Sequence, residues 1–539
     1  VTTNTISATS ANKVSSTQSS QGRFKTKMLP HPPRAYVWTK ADTYSTALVA
    51  FLAFFTRFVG LSTITDAHTP VFDEKHYVPQ AWDMVRSWMN PILGGIESNP
   101  GYGLVVHPPL AKQIEAYGEF LFGYTPLGWR VMTALFGVGT VMLTMALARR
   151  ISHSSAVATF AGILALFDGV LLVSSRYGML DIFQVFFIVA AAWACARDRE
   201  QMRLRMHNLY ENFQNTKAFT TSLGPRLGFR WWRFTMGVFL GLALSVKWSG
   251  LYYIAFFGLL TVALDAHLRM QYQVQRPILG ALIRDSISAF ASIVILPIAL
   301  YAWSWRGWFA SETAVYRHAA TDGTIPADSW LNSLPDTLAS WFYYHSSVLE
   351  FHASLTSSGG HSHPWDSKPW AWLVAARPVL YYSANDVECA AGKCHQAVYL
   401  FGTPVIWWLT IPVLLWALWS LVIARDFRYM IPFISFLAGF VPWLITFDRQ
   451  MYFFYATALI PFSIVMISLA LGSIARTGAT LSKRYQALSK VGITTRGHAI
   501  VACYLVLVVA MFCYFSPLFY GYTIPNEFYN GLMWFNSWR

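Results

Sequence analysis

Charge is what this sequence has least of. Asp, Glu, Lys and Arg make up 12% of its 539 residues, about half the share of an ordinary soluble domain. So sparse a complement excludes a solvated surface over most of the chain. Strand-length segments that alternate apolar and polar residues do not recur, which excludes a transmembrane barrel. No internal repeat is found, and ionisable residues do not run through the depth of the apolar segments. Both absences weigh against a transporter or lipid flippase, which would line a path across the membrane with charge and repeat its halves. The net charge of +14 comes without a basic patch of any nucleic-acid motif type, so no nucleic-acid partner is expected.

What is present is apolar length. The chain is 55% hydrophobic and 17% aromatic, with a mean hydropathy of +0.39. Runs of about 20 residues recur from end to end, each long enough for about 30 Å of hydrocarbon. The expectation is an all-α polytopic membrane protein with about eleven spans: 44–61, 126–148, 154–173, 179–196, 232–249, 250–265, 285–303, 403–424, 429–446, 452–472 and 499–521. Residues 1–40 lack the apolar core of a signal peptide and read as a disordered inner tail. The membrane domain then covers 41–539. Basic residues gather in 149–150, 197–233, 269–284, 425–428 and 476–496, whereas the long connections 62–125 and 304–402 hold more Asp and Glu. The positive-inside rule puts those basic connections inside and the two long loops outside.

The first outer loop contains one helical pattern. Leu110, Ile114, Tyr117, Phe120 and Leu121 share one side, and Lys112, Glu115 and Glu119 the other. Either a helix lying in the membrane interface or one packed on protein fits that pattern. The second outer loop holds Cys389 and Cys394, close enough in sequence for a disulfide in an oxidising compartment, with free thiols as the alternative. It also holds His345, His352, His361, His363 and His395, without a carboxylate spacing that completes a metal site, so no metal is expected. Trp365, Trp370 and Trp372 suit either sugar or peptide docking or anchorage at the membrane surface.

The sharpest feature is Asp73-Glu74, a carboxylate doublet shortly after the first span. Acid groups beside a bilayer are costly and imply work there. Cations fall on the same side: Arg130 at the start of the second span, Arg176 with Asp181 in the next outer turn, Lys247 at the end of the fifth span, and Arg449 before the tenth. His107, in the stiff His107-Pro108-Pro109 turn, joins them. Carboxylates with phosphate-binding cations fit displacement at a sugar carried on a lipid phosphate. A carboxylate takes the proton of the incoming hydroxyl, and the cations hold the charge growing on the leaving phosphate. Neighbouring carboxylates point in different directions, so Asp73 and Glu74 should have separate roles.

These residues resemble a known family. Phe72-Asp73-Glu74-Lys75-His76-Tyr77, the His107-Pro108-Pro109 segment with Ala111-Lys112, Arg130, the Arg176–Asp181 turn and Ser245-Val246-Lys247-Trp248 are similar, in order, to the protein O-mannosyltransferases. Trp341-Phe342-Tyr343-Tyr344-His345 and the stretch from His363-Pro364-Trp365 to Arg377-Pro378 extend the likeness into the second outer loop. The resemblance implies a C-type glycosyltransferase fold with an outward-facing active site. It implies transfer of mannose from polyprenyl-phosphate-mannose to Ser or Thr hydroxyls of secreted polypeptides, with inversion and without a cofactor. The expected partners are that lipid-linked donor, the secreted polypeptides, membrane lipid and, further, the protein export channel. By position Asp73 becomes the catalytic carboxylate and Glu74 its partner, with Arg130, Arg176, Lys247, His107, Asp181 and Arg449 as donor-phosphate or substrate contacts. Loop 304–402 is too short for the β-trefoil of eukaryotic members, so the chain looks like the bacterial form.

Overall fold

The computed structural model describes residues 32–33, 36–88, 106–212, 219, 221–390, 392–480 and 492–539. Residues 1–31 of the expected tail lie outside the described residues. Tyr36, Trp38 and Thr39 belong to the packed structure: the Tyr36 hydroxyl meets Ser155 at 3.3 Å, and Arg149 sits 4.4 Å over Trp38. Thr39 closes a capping box with Asp42 at the start of helix Lys40–Phe58, satisfying two otherwise orphaned donors.

Among the described residues six helices are long and apolar enough to cross a membrane: Pro126–Ser152, Gly250–Gln271, Ser286–Ser304, Pro404–Val422, Phe427–Ile445 and Arg496–Tyr520. The other expected spans coincide with helices that are shorter, interrupted or more polar. Ser155–Leu166 is followed by Gly169–Ser174, the break falling at Asp168, whose carboxylate caps Leu171 and accepts the Trp407 indole at 2.7 Å. Asp181–Glu211 runs 31 residues and continues past the span into the basic connection. Ile460–Ala475 follows a 3-10 turn at Phe453–Ala458. Trp231–Val246 and Gly250–Gln271 are separated only by Lys247-Trp248-Ser249.

The helical class stands with one addition that hydropathy missed. Strands β1 (Val379–Cys389), β2 (Gly392–Leu400) and β3 (Thr523–Pro525) form an antiparallel sheet in that order. Cys389 and Cys394 are joined by a disulfide near the β1–β2 turn, their Cα atoms 6.0 Å apart. Val379, Tyr381, Val398 and Leu400 are buried, so the base of the hairpin is core and its tip is exposed.

The helix expected in the first outer loop is present at Leu110–Phe122, and it is inside out. Tyr117, Phe120 and Leu121 are exposed, while Lys112, Glu115 and Glu119 are buried. That arrangement fits a helix whose apolar side meets lipid and whose polar side meets protein. Among the described residues neither the Glu115 nor the Glu119 carboxyl has a hydrogen-bond partner. Burial pushes Glu115 well above the usual carboxylate range and Glu119 up to about 9.

Candidate active site

The doublet lies at the start of helix Glu74–Ser87, directly after Phe72, whose φ of 51° is in the left-handed region. A bulky side chain is strained there and persists only where its surroundings hold it. The Phe72 ring stacks on Tyr381 of β1 at 4.5 Å, so the sheet supports the bend. The two carboxylates then part company.

Glu74 turns inward and is fully buried. Its oxygens accept Arg130 Nε and Nη2, both at 2.7 Å, in a two-pronged pair. They also accept the backbone N–H of Gly178 at 2.7 Å and of Val71 at 3.0 Å. A Cβ at position 178 would meet Glu115 Oε1 at 2.3 Å, so the Glu115 side chain would have to move. Arg130 gives its third nitrogen to Leu61 O at 3.0 Å and lies 4.6 Å over Tyr177. Arg176 donates to the carbonyls of Thr56, Arg57, Val59 and Gly60 at 2.7–3.3 Å. Neither Arg130 nor Arg176 lines the cavities described next. Both fasten the first span and the 174–180 turn to the doublet, a place different from the phosphate contact expected of them.

Asp73 faces the other way. Two cavities meet there. One, of about 400 Å³, is lined by Asp73, His76, Tyr77 and Lys112. The other, of about 520 Å³, has apolar walls that include Leu244, Leu251, Ile298 and Leu349, and it holds Lys247 and Asp181. His107, His352, Arg449 and Tyr455 line both. Among the described residues the Asp73 carboxylate accepts no hydrogen bond. Desolvation pushes it up to about 6, with the Lys247 charge pulling down and Asp181 pushing up.

Lys247 ends helix Trp231–Val246, in extended backbone, and its Nζ meets Asp181 Oδ1 at 2.8 Å. The second Asp181 oxygen is buried without a partner among the described residues. Gln184, three residues on, donates to Lys247 O at 3.1 Å and Ser249 Oγ at 3.0 Å, holding the turn. Arg449 Nη2 donates to His352 Nδ1 at 2.9 Å. A guanidinium only donates, so Nδ1 is the acceptor and His352 offers its Nε2–H to Val106 O at 3.3 Å. Burial and the Arg449 charge hold His352 down to about 4, and burial and Lys247 hold His107 well below its usual range. His107 and His352 thus line both cavities as imidazoles whose charged form is disfavoured.

Sequence reasoning did not single out Gln184, Tyr301 or Tyr455. Trp248 Nε1 donates to the Tyr301 hydroxyl at 2.9 Å, and that hydroxyl meets His345 Nε2 at 2.7 Å. His345 Nδ1 lies 2.7 Å from Trp341 O; that carbonyl can only accept, so Nδ1 carries the proton and Nε2 accepts. Gln184, Tyr301 and Tyr455 are each a single polar group inside an apolar stretch, which leaves no periodic signal in the sequence. In the second outer loop Trp372 is core, its indole bonded to Ser367 O at 3.0 Å, whereas Trp370 is exposed. Lys368 binds Arg449 O at 3.0 Å. Ser367 N meets Met451 O at 2.7 Å, so the loop clasps the Asp448–Met451 turn that presents Arg449. Among the described residues no three His, Cys, Asp or Glu side chains converge as a metal-binding set.

Comparison with known proteins follows this geometry. The family profile described as dolichyl-phosphate-mannose-protein mannosyltransferase matches residues 47–306. The C-terminal four TMM region of protein-O-mannosyltransferase matches 337–538. A polyprenol-phosphate-mannose–protein mannosyltransferase of Corynebacterium glutamicum is 62% identical over 96% of this chain and 98% of its own. One from Mycobacterium tuberculosis is 45% identical over 92% and 91%. Among solved structures, the Saccharomyces cerevisiae protein O-mannosyltransferase Pmt1-Pmt2 complex bound to the sugar donor superposes with a TM-score of 0.66. That match covers 93% of both chains at 16% identity, a likeness of fold.

Proposed function

We propose a reaction for this chain from the premise that it belongs to the protein O-mannosyltransferase family and carries the C-type glycosyltransferase fold. It is a glycosyltransferase that moves mannose from polyprenyl-phosphate-mannose to a polypeptide. The acceptor is a Ser or Thr hydroxyl of an exported protein, presented on the extracytoplasmic side of the plasma membrane as it leaves the export channel.

The observation that carries the assignment of parts is the meeting of the two cavities at His107, His352, Arg449 and Tyr455. The apolar cavity takes the first isoprene units and the phosphate of the donor, with Lys247 and Arg449 as its cations. The cavity holding Asp73 takes the acceptor. Asp73 removes the hydroxyl proton as the acceptor oxygen bonds to C1 of mannose. The C1–O bond to phosphate breaks on the opposite face, which inverts the anomeric centre. The electron pair leaves on polyprenyl phosphate, where Lys247 and Arg449 hold it. The unpartnered Asp181 oxygen is available to a mannose hydroxyl. Charge compensation rests on these side chains, so the proposed reaction uses no metal ion or cofactor.

Polar groups fixed in a site of low dielectric stabilise developing charge without reorganising. His107 and His352 supply such a setting, since neither adds a positive charge that would silence Asp73 as a base. The test is purified protein in lipid nanodiscs with radiolabelled polyprenyl-phosphate-mannose and a Ser/Thr peptide. Label on the peptide hydroxyl, in the anomer opposite to the donor's, is the expected result. Label passing to lipid or polysaccharide instead overturns the acceptor assignment.

A further inference from the structure

A third cavity, of about 880 Å³, opens at the other end of the bundle. Arg199 and Arg203 line it from helix Asp181–Glu211. At 1.5 Å per residue they lie about 27 Å and 33 Å along the axis from Asp181, roughly a hydrocarbon thickness away. Most charges around this cavity are matched. Arg230 binds both Asp198 and Asp265. Arg150 meets Glu200 at 3.0 Å, and Arg428 meets Asp426 at 2.6 Å.

Two are not matched. Arg199 makes one hydrogen bond, from Nη1 to Phe427 O at 3.0 Å. Among the described residues no carboxylate lies within ion-pair distance of it, and Arg203 has no partner at all. The two guanidiniums are four residues apart, so they share a helix face and repel each other. His267, whose Nε2 is buried without a partner among the described residues, faces the same space. Beside these donors the wall turns apolar, with Leu264, Leu268 and Ile431 from membrane-crossing helices.

We propose that this cavity binds the phosphate of an anionic phospholipid, in the leaflet opposite the reaction centre. Guanidiniums four residues apart suit the oxygens of one phosphate, and basic pockets between membrane helices take lipid headgroups of this kind. The apolar wall receives the first methylenes of the acyl chains, a contact that a soluble phosphate leaves unused. The preceding segment of the chain supplies no counter-charge, because residues 1–31 contain neither Asp nor Glu. The site is separate from the transfer chemistry and stands or falls without it.

The test is native mass spectrometry and thermal melting of the full chain after detergent exchange. Phosphatidylglycerol or cardiolipin is added back, with phosphatidylcholine and inorganic phosphate as separate arms. Wild type is expected to retain and be stabilised by the anionic lipids, and Arg199→Gln/Arg203→Gln to bind them at least tenfold more weakly. Its melting point in lipid-free detergent should be unchanged or higher, since a like-charge pair is gone. If the double variant fails to fold, Arg203→Gln alone, at an exposed position, should weaken binding about threefold, half the double variant's effect in free energy. Equal retention by wild type and variants, or equal binding of phosphatidylcholine, overturns the site. A response to inorganic phosphate with none to lipid overturns the lipid as its source.

Discussion

Two layers of charge lie one residue apart, and they behave in opposite ways. Glu74, Arg130 and Arg176 form a closed layer in which every carboxylate oxygen and nearly every guanidinium nitrogen already has a protein partner. Asp73, Lys247, Asp181 and Arg449 form an open layer around two joined cavities, with an Asp73 carboxylate and one Asp181 oxygen left for a ligand. Adjacent residues in one motif thus do different work. Saturated charge is architecture, and unsaturated charge beside a cavity is chemistry.

The largest expected effect tests the open layer. Asp73→Asn removes the base and keeps the shape, so transfer should fall about 10²–10⁴-fold with the melting temperature unchanged. Wild-type turnover in a radiolabel assay would transfer the role to another group. The closed layer should fail in the other currency: Arg130→Ala strands a buried Glu74 charge and should cost about 3–5 kcal/mol of stability. Melting and detergent-resistant yield are the measurements, and a stable but inactive Arg130→Ala protein would erase the contrast between the layers. Lys247→Ala should raise the apparent KM for the lipid donor about tenfold, about 1.4 kcal/mol, with a smaller change for the peptide. Equal changes in both would count against a phosphate contact. The mildest test is pH. Asp73 must be ionised to accept a proton, and burial has raised it to about 6; kcat/KM should therefore be flat above that value and fall about tenfold per unit below it. A profile flat from about pH 5 to pH 8 would show that this carboxylate does not titrate in the rate.

Hydropathy made the spans legible, because length in lipid is set by the bilayer and little else. The doublet was legible for a related reason, since ionised groups beside hydrocarbon require a cause. The division of labour inside it was not. Sequence placed Arg130 and Arg176 among the phosphate contacts because a guanidinium looks the same whether it meets a ligand or four backbone carbonyls. The sheet was hidden because β1 is partly polar along its exposed half and the third strand pairs from the far end of the chain. Gln184 and Tyr301 were silent because a single polar residue in an apolar helix carries no periodic signal. Trp372 suited either docking or membrane anchorage and is core, an outcome set by the path of its loop rather than by composition.

The proposed reaction centre draws on both halves of the chain. Asp73 and Lys247 come from the first half, while His352, the Tyr381 ring that braces Phe72, and Arg449 come from the second. During synthesis the growing polypeptide therefore carries Asp73 and Lys247 well before His352 and Arg449, which complete the two cavities. A chain cut short before Arg449 lacks part of the wall of both cavities, so under the proposed mechanism an unfinished chain leaves the lipid-linked donor unused.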